Sequence, residues 1–239
     1  MNYGVILAGG SGTRVTSASL PKQFLPLGGK ALLTYSVERF CSCADIDRVI
    51  VSAPEVWIGH TRAVLDAAGL GVAEVCAGGV LRQDSLYLAL KYIESRYGLA
   101  DEDLAVSHDA ARPFVNARLI RENIEACRAG GAADTVLPSS DTIVVSGDGR
   151  RVERIPPRAS MYLSQTPQSF FIKSFLSICA DRDADYLKSV TDAARILHEA
   201  GVEVALVMGE QSNIKITTDF DLRLAQFLLD GGIKLPLQR

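Results

Sequence analysis

The chain is poor in the residues that build metal clusters and disulfide frameworks: it has three histidines, and its five cysteines, Cys41, Cys43, Cys76, Cys127 and Cys179, include no C-x-x-C pair. A zinc site needs closely spaced Cys and His ligands, so the thiols read as reduced core or surface residues. A basic excess is also lacking. Lys and Arg number 25 against 28 Asp and Glu, a formal net charge of -3, which argues against a nucleic-acid groove or an anionic-membrane patch. No apolar run reaches the ~18 residues of a membrane span, and the first residues carry neither a basic n-region nor an apolar h-region. The expectation is a cytoplasmic protein with neither nucleic acid nor membrane as partner. Repeats, low-complexity segments and long linkers are missing too. With 239 residues and 48% hydrophobic content, one domain spanning 1–239 is expected.

What the chain does have is a glycine-rich start. The apolar run Tyr3-Gly4-Val5-Ile6-Leu7 empties into Ala8-Gly9-Gly10-Ser11-Gly12-Thr13-Arg14, followed by Pro21-Lys22-Gln23. Glycines after a strand let backbone N–H groups approach phosphate oxygens, and fixed cations such as Arg14 and Lys22 neutralise charge developing on a transferring phosphorus. A dinucleotide fingerprint would want a third glycine where Arg14 stands, and a Walker A loop would close on Gly-Lys-Ser/Thr, which Gly12-Thr13-Arg14 does not supply. The chemistry suggested is nucleotidyl transfer.

β-branched runs at 4–7, 48–52, 72–76 and 104–107 alternate with helical apolar spacing at 32–41, 56–68, 82–96 and 117–129, the last helix opened by Asn116 and closed by Gly130-Gly131. That alternation predicts an α/β fold: a doubly wound, mostly parallel, Rossmann-like sheet with helices on both faces and ligands beyond the carboxyl ends of its strands. After Ala133 the pattern changes. Segments 135–137, 142–145 and 152–155 follow at short spacing around a Gly147-Asp148-Gly149 turn, which predicts a projecting β-hairpin arm at about 138–163. Two strands alone bury little surface, so such an arm is expected to pack on another subunit. A helix over 190–200, a strand over 202–208, the Asn213–Thr217 segment and a helix over 219–230 complete the chain.

Three further constellations bear chemistry. Ser107-His108-Asp109-Ala110-Ala111-Arg112-Pro113-Phe114 puts an acid at the end of the fourth strand; Mg²⁺ takes one or two carboxylates plus substrate phosphates, so Asp109 is the candidate metal ligand. His108 is given no catalytic role, because a phosphate monoester nucleophile is already ionised at neutral pH. The loop Gly78-Gly79-Val80-Leu81-Arg82-Gln83-Asp84-Ser85 again follows a strand and opens a helix, and is a base or ribose contact or simply a helix start. Arg158, Gln165-Thr166-Pro167-Gln168, Thr191-Asp192 and Asn213-Ile214-Lys215-Ile216-Thr217 are each weak alone.

Taken in order from Ala8 to Asp221-Leu222, these pieces resemble the cytidylyltransferases that join CTP to a polyol phosphate, a family of nucleotidyltransferase fold. The resemblance covers nearly the whole chain. Two branches are close, acting on 2-C-methyl-D-erythritol 4-phosphate and on ribitol 5-phosphate. The first usually reads Thr-Asp-Asp/Glu-Ala-Ser in its late motif and has Asp before the Asn of Asn-Ile-Lys, whereas here Thr191-Asp192-Ala193-Ala194-Arg195 and Ser212-Asn213 depart from it. Segments 53–61, 112–114 and 155–170 look like the ribitol branch, so the expected product is CDP-ribitol for a wall-teichoic-acid or capsule-type polymer. The resemblance implies that Leu7, Ala8, Gly9, Gly10 and Gly12 with Gly79, Val80, Leu81, Arg82, Gln83, Asp84 and Ser85 hold CTP, and that Arg14 and Lys22 stabilise the transition state. It implies further that Asp109 binds Mg²⁺, that Arg158 and Lys215 place the polyol phosphate, and that Arg112, Thr142 and Thr191 assist. It also implies a homodimer whose arms exchange across a two-fold axis. A sugar-1-phosphate nucleotidyltransferase and an idle nucleotide-binding regulator remain the rival readings.

Overall fold

Tyr3, Val5 and Leu7 point to one side of their strand and Gly4 and Ile6 to the other, yet all five are buried. A strand buried on both faces needs cover above and below, and the sequence supplies it by alternating strands with amphipathic helices. The computed structural model describes residues 1–9 and 20–232. In chain order these form β1 (Asn2–Leu7), β2 (Pro26–Leu27), β3 (Lys30–Ala31), α1 (Leu32–Cys41), β4 (Arg48–Pro54), α2 (Ile58–Ala67), β5 (Glu74–Gly78), α3 (Arg82–Tyr97) and β6 (Leu104–Asp109). They continue with α4 (Ala117–Gly130), β7 (Ala132–Pro138), β8 (Tyr162–Phe171), α5 (Ile172–Ala180), α6 (Ala184–Ser189), α7 (Ala193–Glu199), β9 (Val204–Met208) and α8 (Asp219–Leu229).

Seven strands make one sheet in the order β5-β4-β1-β6-β8-β7-β9, parallel throughout except for β8, which runs against both β6 and β7. On one face, Leu33, Val37 and Phe40 of α1, Leu65 of α2 and Leu119, Ile120 and Ile124 of α4 pack against Ile6, Val51 and Val106. On the other, Leu86, Leu90 and Ile93 of α3, Phe175 of α5 and Ile196 of α7 cover Tyr3, Val5 and Ile50. Each such side chain contributes about 1.5–3 kcal/mol on burial. Gly4 lets α1 approach the sheet: a Cβ there would lie 2.5 Å from Cδ1 of the fully buried Phe40 ring. A smaller cluster of Leu27, Leu32, Phe114, Ile216, Ala225 and Leu228 holds α8 over the β2–β3 hairpin.

The doubly wound sheet and its helices form as expected, with α4 capped by Asn116 Oδ1, which accepts from Leu119 N at 3.0 Å. The arm differs. Segments 142–145 and 152–155 do not form a ladder; they meet through one isolated bridge, Val145 to Arg154, and both lie mostly exposed, with no third strand or helix among the described residues to bury a face. The regular part of this excursion is its base, where β7 pairs with β8 as far as Pro138 opposite Tyr162. The late helix begins at Ala193 rather than 190, because Asp192 caps it by accepting from Arg195 N at 2.9 Å.

His108 sits inside this sheet without exposure to solvent, its ring between the Arg112 carbonyl (3.0 Å) and Thr166 Oγ1 (2.9 Å), against the Phe40 ring. Burial pushes it down to about 4, partly opposed by the hydrogen bond with Arg112 and the Asp109 charge. Since an unfolded histidine titrates near ~6.5, the unfolded chain takes up a proton that the folded one refuses between those values, so His108 makes stability fall as pH drops from about 6.5 to 4. Replacing it with Gln is expected to remove ~2 kcal/mol of that acid loss between pH 7 and 4.5. The check is urea denaturation across that range; an unchanged pH slope contradicts it.

Candidate active site

The parallel register aligns strand ends. Leu7 pairs with Ser52 of β4 and with Asp109 of β6, so the chain leaving β1 runs straight past the Asp109 carboxylate. The Ala8 N–H donates to Ser52 O at 2.9 Å and the Ala8 carbonyl accepts from Gln23 Nε2 at 2.7 Å. Gln23 is buried, and by clamping Ala8 it ties the turn that carries Lys22 to the end of β1. Gly9 follows; a Cβ there would stand 2.8 Å from Ser85 Oγ, so only glycine lets the two loops close together.

From the opposite wall, β5 leads through Gly79 into α3. Ser85 Oγ lies 3.2 Å from both the N–H and the carbonyl of Gly79, and Asp84 Oδ2 accepts the Leu81 N–H at 3.1 Å. Asp84 is therefore a helix-start residue. Arg82, the first residue of α3, reaches across to Asp109: its Nε donates to Oδ1 at 2.9 Å. Lys215 Nζ takes the other oxygen, Oδ2, at 2.6 Å. Burial alone would raise the Asp109 carboxyl, but the Arg82 guanidinium and the Lys215 ammonium outweigh it and hold the group well below the usual carboxylate range.

Lys215 is delivered by a segment without regular structure that is pinned at several points. Arg112 Nη1 donates to Asn213 O at 2.8 Å, Asn213 Nδ2 donates to Thr166 O at 2.8 Å, and Ile216 N donates to Ala111 O at 2.8 Å. Lys22 Nζ in turn donates to Ile216 O at 3.1 Å. The outcome is a cavity of about 190 Å³ lined by Ala8, Gly9, Lys22, Arg82, Asp109 and Lys215, together with Leu7 and Ser85. Three cations and one ionised carboxylate converge there, and Arg82 Nη1 is buried without a hydrogen-bond partner. Such a site is made for a polyanion. Among the described residues no three His, Cys, Asp or Glu gather, so a cation here would take Asp109 and oxygens brought by the substrate. That donor set suits Mg²⁺. Each Asp109 oxygen accepts one bond here and keeps a second lone pair, so the carboxylate could hold a cation beside Arg82 and Lys215.

Other expected residues lie elsewhere. Gly10, Gly12 and Arg14 fall outside the described residues. Gln83 and Asp84 line a second cavity of about 580 Å³, with Gly79, Val80, Tyr87 and Phe175; Gln83 is buried there with its amide unpartnered. Arg112 is buried as a tether for Asn213 and does not line the cation-lined cavity. Thr142, Arg158 and Thr191 are exposed and outside it too, with Arg158 Nη1 donating to Ser140 O at 3.2 Å. Gln23 and Asn213 stand in the sequence motifs without a role of their own. Their work is to fix backbone, which no spacing pattern reveals.

A family profile described as 2-C-methyl-D-erythritol 4-phosphate cytidylyltransferase matches residues 3–231. Among solved structures, 4-diphosphocytidyl-2C-methyl-D-erythritol synthase from Anaerococcus prevotii is 28% identical over 96% of each chain with a TM-score of 0.79. The 2-C-methyl-D-erythritol 4-phosphate cytidylyltransferase from Thermus thermophilus is 30% identical over 96% of this chain and 100% of its own, with a TM-score of 0.71. That from Francisella tularensis is 28% identical over 95% and 98%, with a TM-score of 0.77. The profile runs through every element that builds the cavity, and the chain therefore belongs to the 2-C-methyl-D-erythritol 4-phosphate cytidylyltransferase family of nucleotidyltransferase enzymes.

Proposed function

We propose that the chain transfers the CMP moiety of CTP to a short linear polyol monophosphate and releases pyrophosphate, with 2-C-methyl-D-erythritol 4-phosphate as the leading acceptor. The observation that carries the reading is the Asp109 carboxylate held between Arg82 and Lys215, beside Lys22 and the open backbone of Gly9. Support for this acceptor comes from the family description and from the activities named for the solved relatives. Ribitol 5-phosphate is the second reading, favoured by Ala193 where the methylerythritol branch carries an acid, by Arg195 where it carries Ser, and by Ser212. Ala193 is fully buried with its N–H bonded to Gln168 Oε1 at 3.2 Å, so a carboxylate at that position would be drawn out of water.

The reaction asks the chain for position and charge. Gly9 and the 79–85 loop receive the nucleotide, and Lys22, Arg82 and Lys215 neutralise the triphosphate; Arg14, Gly10 and Gly12 join them on the strength of the resemblance. An ionised acceptor-phosphate oxygen attacks the α-phosphorus in line, the bond to the α,β-bridging oxygen breaks, and pyrophosphate leaves with the electron pair. No base is required, in keeping with a buried, neutral His108. A divalent cation, when bound, neutralises triphosphate charge, and Asp109 is the residue to hold it.

The reading includes a cytoplasmic homodimer. Thr142 and Arg158 stand outside their own chain's cavity, on an arm that exposes Val144, Val152 and Ile155, so they are proposed to serve the site of a second copy. Two measurements test these points. Mg²⁺-dependent pyrophosphate release from CTP, with the two polyol phosphates side by side, is expected to show a preference of ~100-fold in kcat/KM, worth about 2.7 kcal/mol. A ribitol preference moves the chain to the second reading, and silence with both acceptors overturns the proposal. For the arm, Arg158→Ala and Lys22→Ala variants, each inactive alone, should regain part of the activity when mixed; no rescue after verified subunit exchange rules out shared sites.

A further inference from the structure

We infer that Asp134, acting through Gln168, is a positioning residue for the acceptor side of the site, holding the Thr191–Asp192 segment in place; this rests on the proposed polyol-phosphate acceptor and on the acceptor role that the resemblance implies for Thr191. A carboxylate buried without a cation against it is costly unless hydrogen bonds compensate. Asp134 in β7 is 7% exposed and forms no ion pair among the described residues. Its Oδ1 accepts from Gln168 Nε2 at 2.9 Å and from Ser164 Oγ at 3.0 Å. Gln168, fully enclosed, then presents its other end, Oε1, to the Ala193 N–H at 3.2 Å.

The carboxylate settles which way the Gln168 amide points. An ionised Asp134 can only accept, so it draws the NH₂ end and leaves the carbonyl for Ala193; the flipped amide would set oxygen against carboxylate and NH₂ against N–H. Gln168 is itself fixed by the sheet, opposite Asp134 in β7 and opposite Ser107 in β6, two residues before Asp109. At the far end, Ala193 opens α7 directly after its cap Asp192, and Thr191 precedes both. Ala193 has no long side chain to anchor the segment, so the Gln168 contact does it. The relay thus joins the strand that bears Asp109 to the segment expected to meet the acceptor, while leaving the nucleotide loops untouched.

Burial pushes Asp134 up to about 6, opposed by its bonds from Gln168 and Ser164, with Asp192 raising it further and Arg82 lowering it. The orienting charge is therefore present well above that value, half lost at about 6 and lost as the pH falls further.

Asp134→Asn keeps the volume and removes the charge. Steady-state kinetics with the acceptor that the wild type uses are expected to show the acceptor KM raised roughly 5-fold in Asp134→Asn and over ~10-fold in Gln168→Ala, with the CTP KM within about 2-fold of wild type. Between pH 7.5 and 5.5 the wild-type acceptor KM should rise more steeply than that of Asp134→Asn; both share the titration of the acceptor phosphate, so the difference belongs to Asp134. Hydrogen exchange of the Ala193 amide should quicken about 10-fold in Asp134→Asn, a readout independent of turnover. Parallel losses in both KM values, or an unchanged Ala193 exchange rate, would overturn the inference. Turnover of neither polyol phosphate by the wild type, with Ala193 exchange quickened as expected, would instead count against the acceptor reading alone.

Discussion

A buried carboxylate gripped by two cations organises this molecule. Asp109 ends β6 with each oxygen taken, one by Arg82 from the start of α3 and one by Lys215 from the segment after β9. Those partners are 27 residues before it and 106 after it in sequence, so the ion triad can form only when the sheet has brought all three segments to one edge. The grip also keeps Asp109 ionised where desolvation would otherwise protonate it. Two cations against one carboxylate leave a net positive site, which under the proposed function faces the triphosphate.

The sheet supplies the geometry that makes the triad possible. Parallel strands β5, β4, β1 and β6 end on one side, and loops leaving them converge at the carboxyl edge. The single antiparallel strand, β8, changes what lies beside that edge. It inserts Thr166 and Gln168 between β6 and β7, so that one strand ties Asp109 N to Thr166 Oγ1 at 3.2 Å, Asn213 to the Thr166 carbonyl and Ala193 to Gln168. Under the proposed function, nucleotide-side and acceptor-side segments thereby hang from a common support. Tight positioning of this kind is what an in-line displacement without a covalent intermediate demands.

Much of this is legible in the sequence. The alternation of β-branched runs with helical spacing points to the doubly wound sheet, Asn116 marks the start of α4, and the acid at the end of the fourth strand marks the site. Lys22 stands out beside the glycine-rich start, and Lys215 only through the resemblance; the fold alone explains how residues so distant meet. What the sequence hides is polar rather than apolar. Periodicity reports faces, so it misses β8: 162–171 reads as a motif, since Gln165, Thr166 and Gln168 are buried against polar partners. The weak arm is over-read for a related reason, because alternation at 142–145 and 152–155 occurs without a neighbouring layer to bury it. Asp134 gives no signal at all. Its significance lies in what surrounds it, which a lone Asp inside an apolar run cannot announce.

The measurement that bears most directly on this account is a crystal structure with CTP and Mg²⁺ bound. The account predicts triphosphate oxygens within ~3 Å of the Gly9 backbone, Lys22, Arg82 and Lys215, with Asp109 turned to the metal. Nucleotide found instead in the larger cavity between α3, α5 and α7, with the Asp109 triad undisturbed, would contradict it.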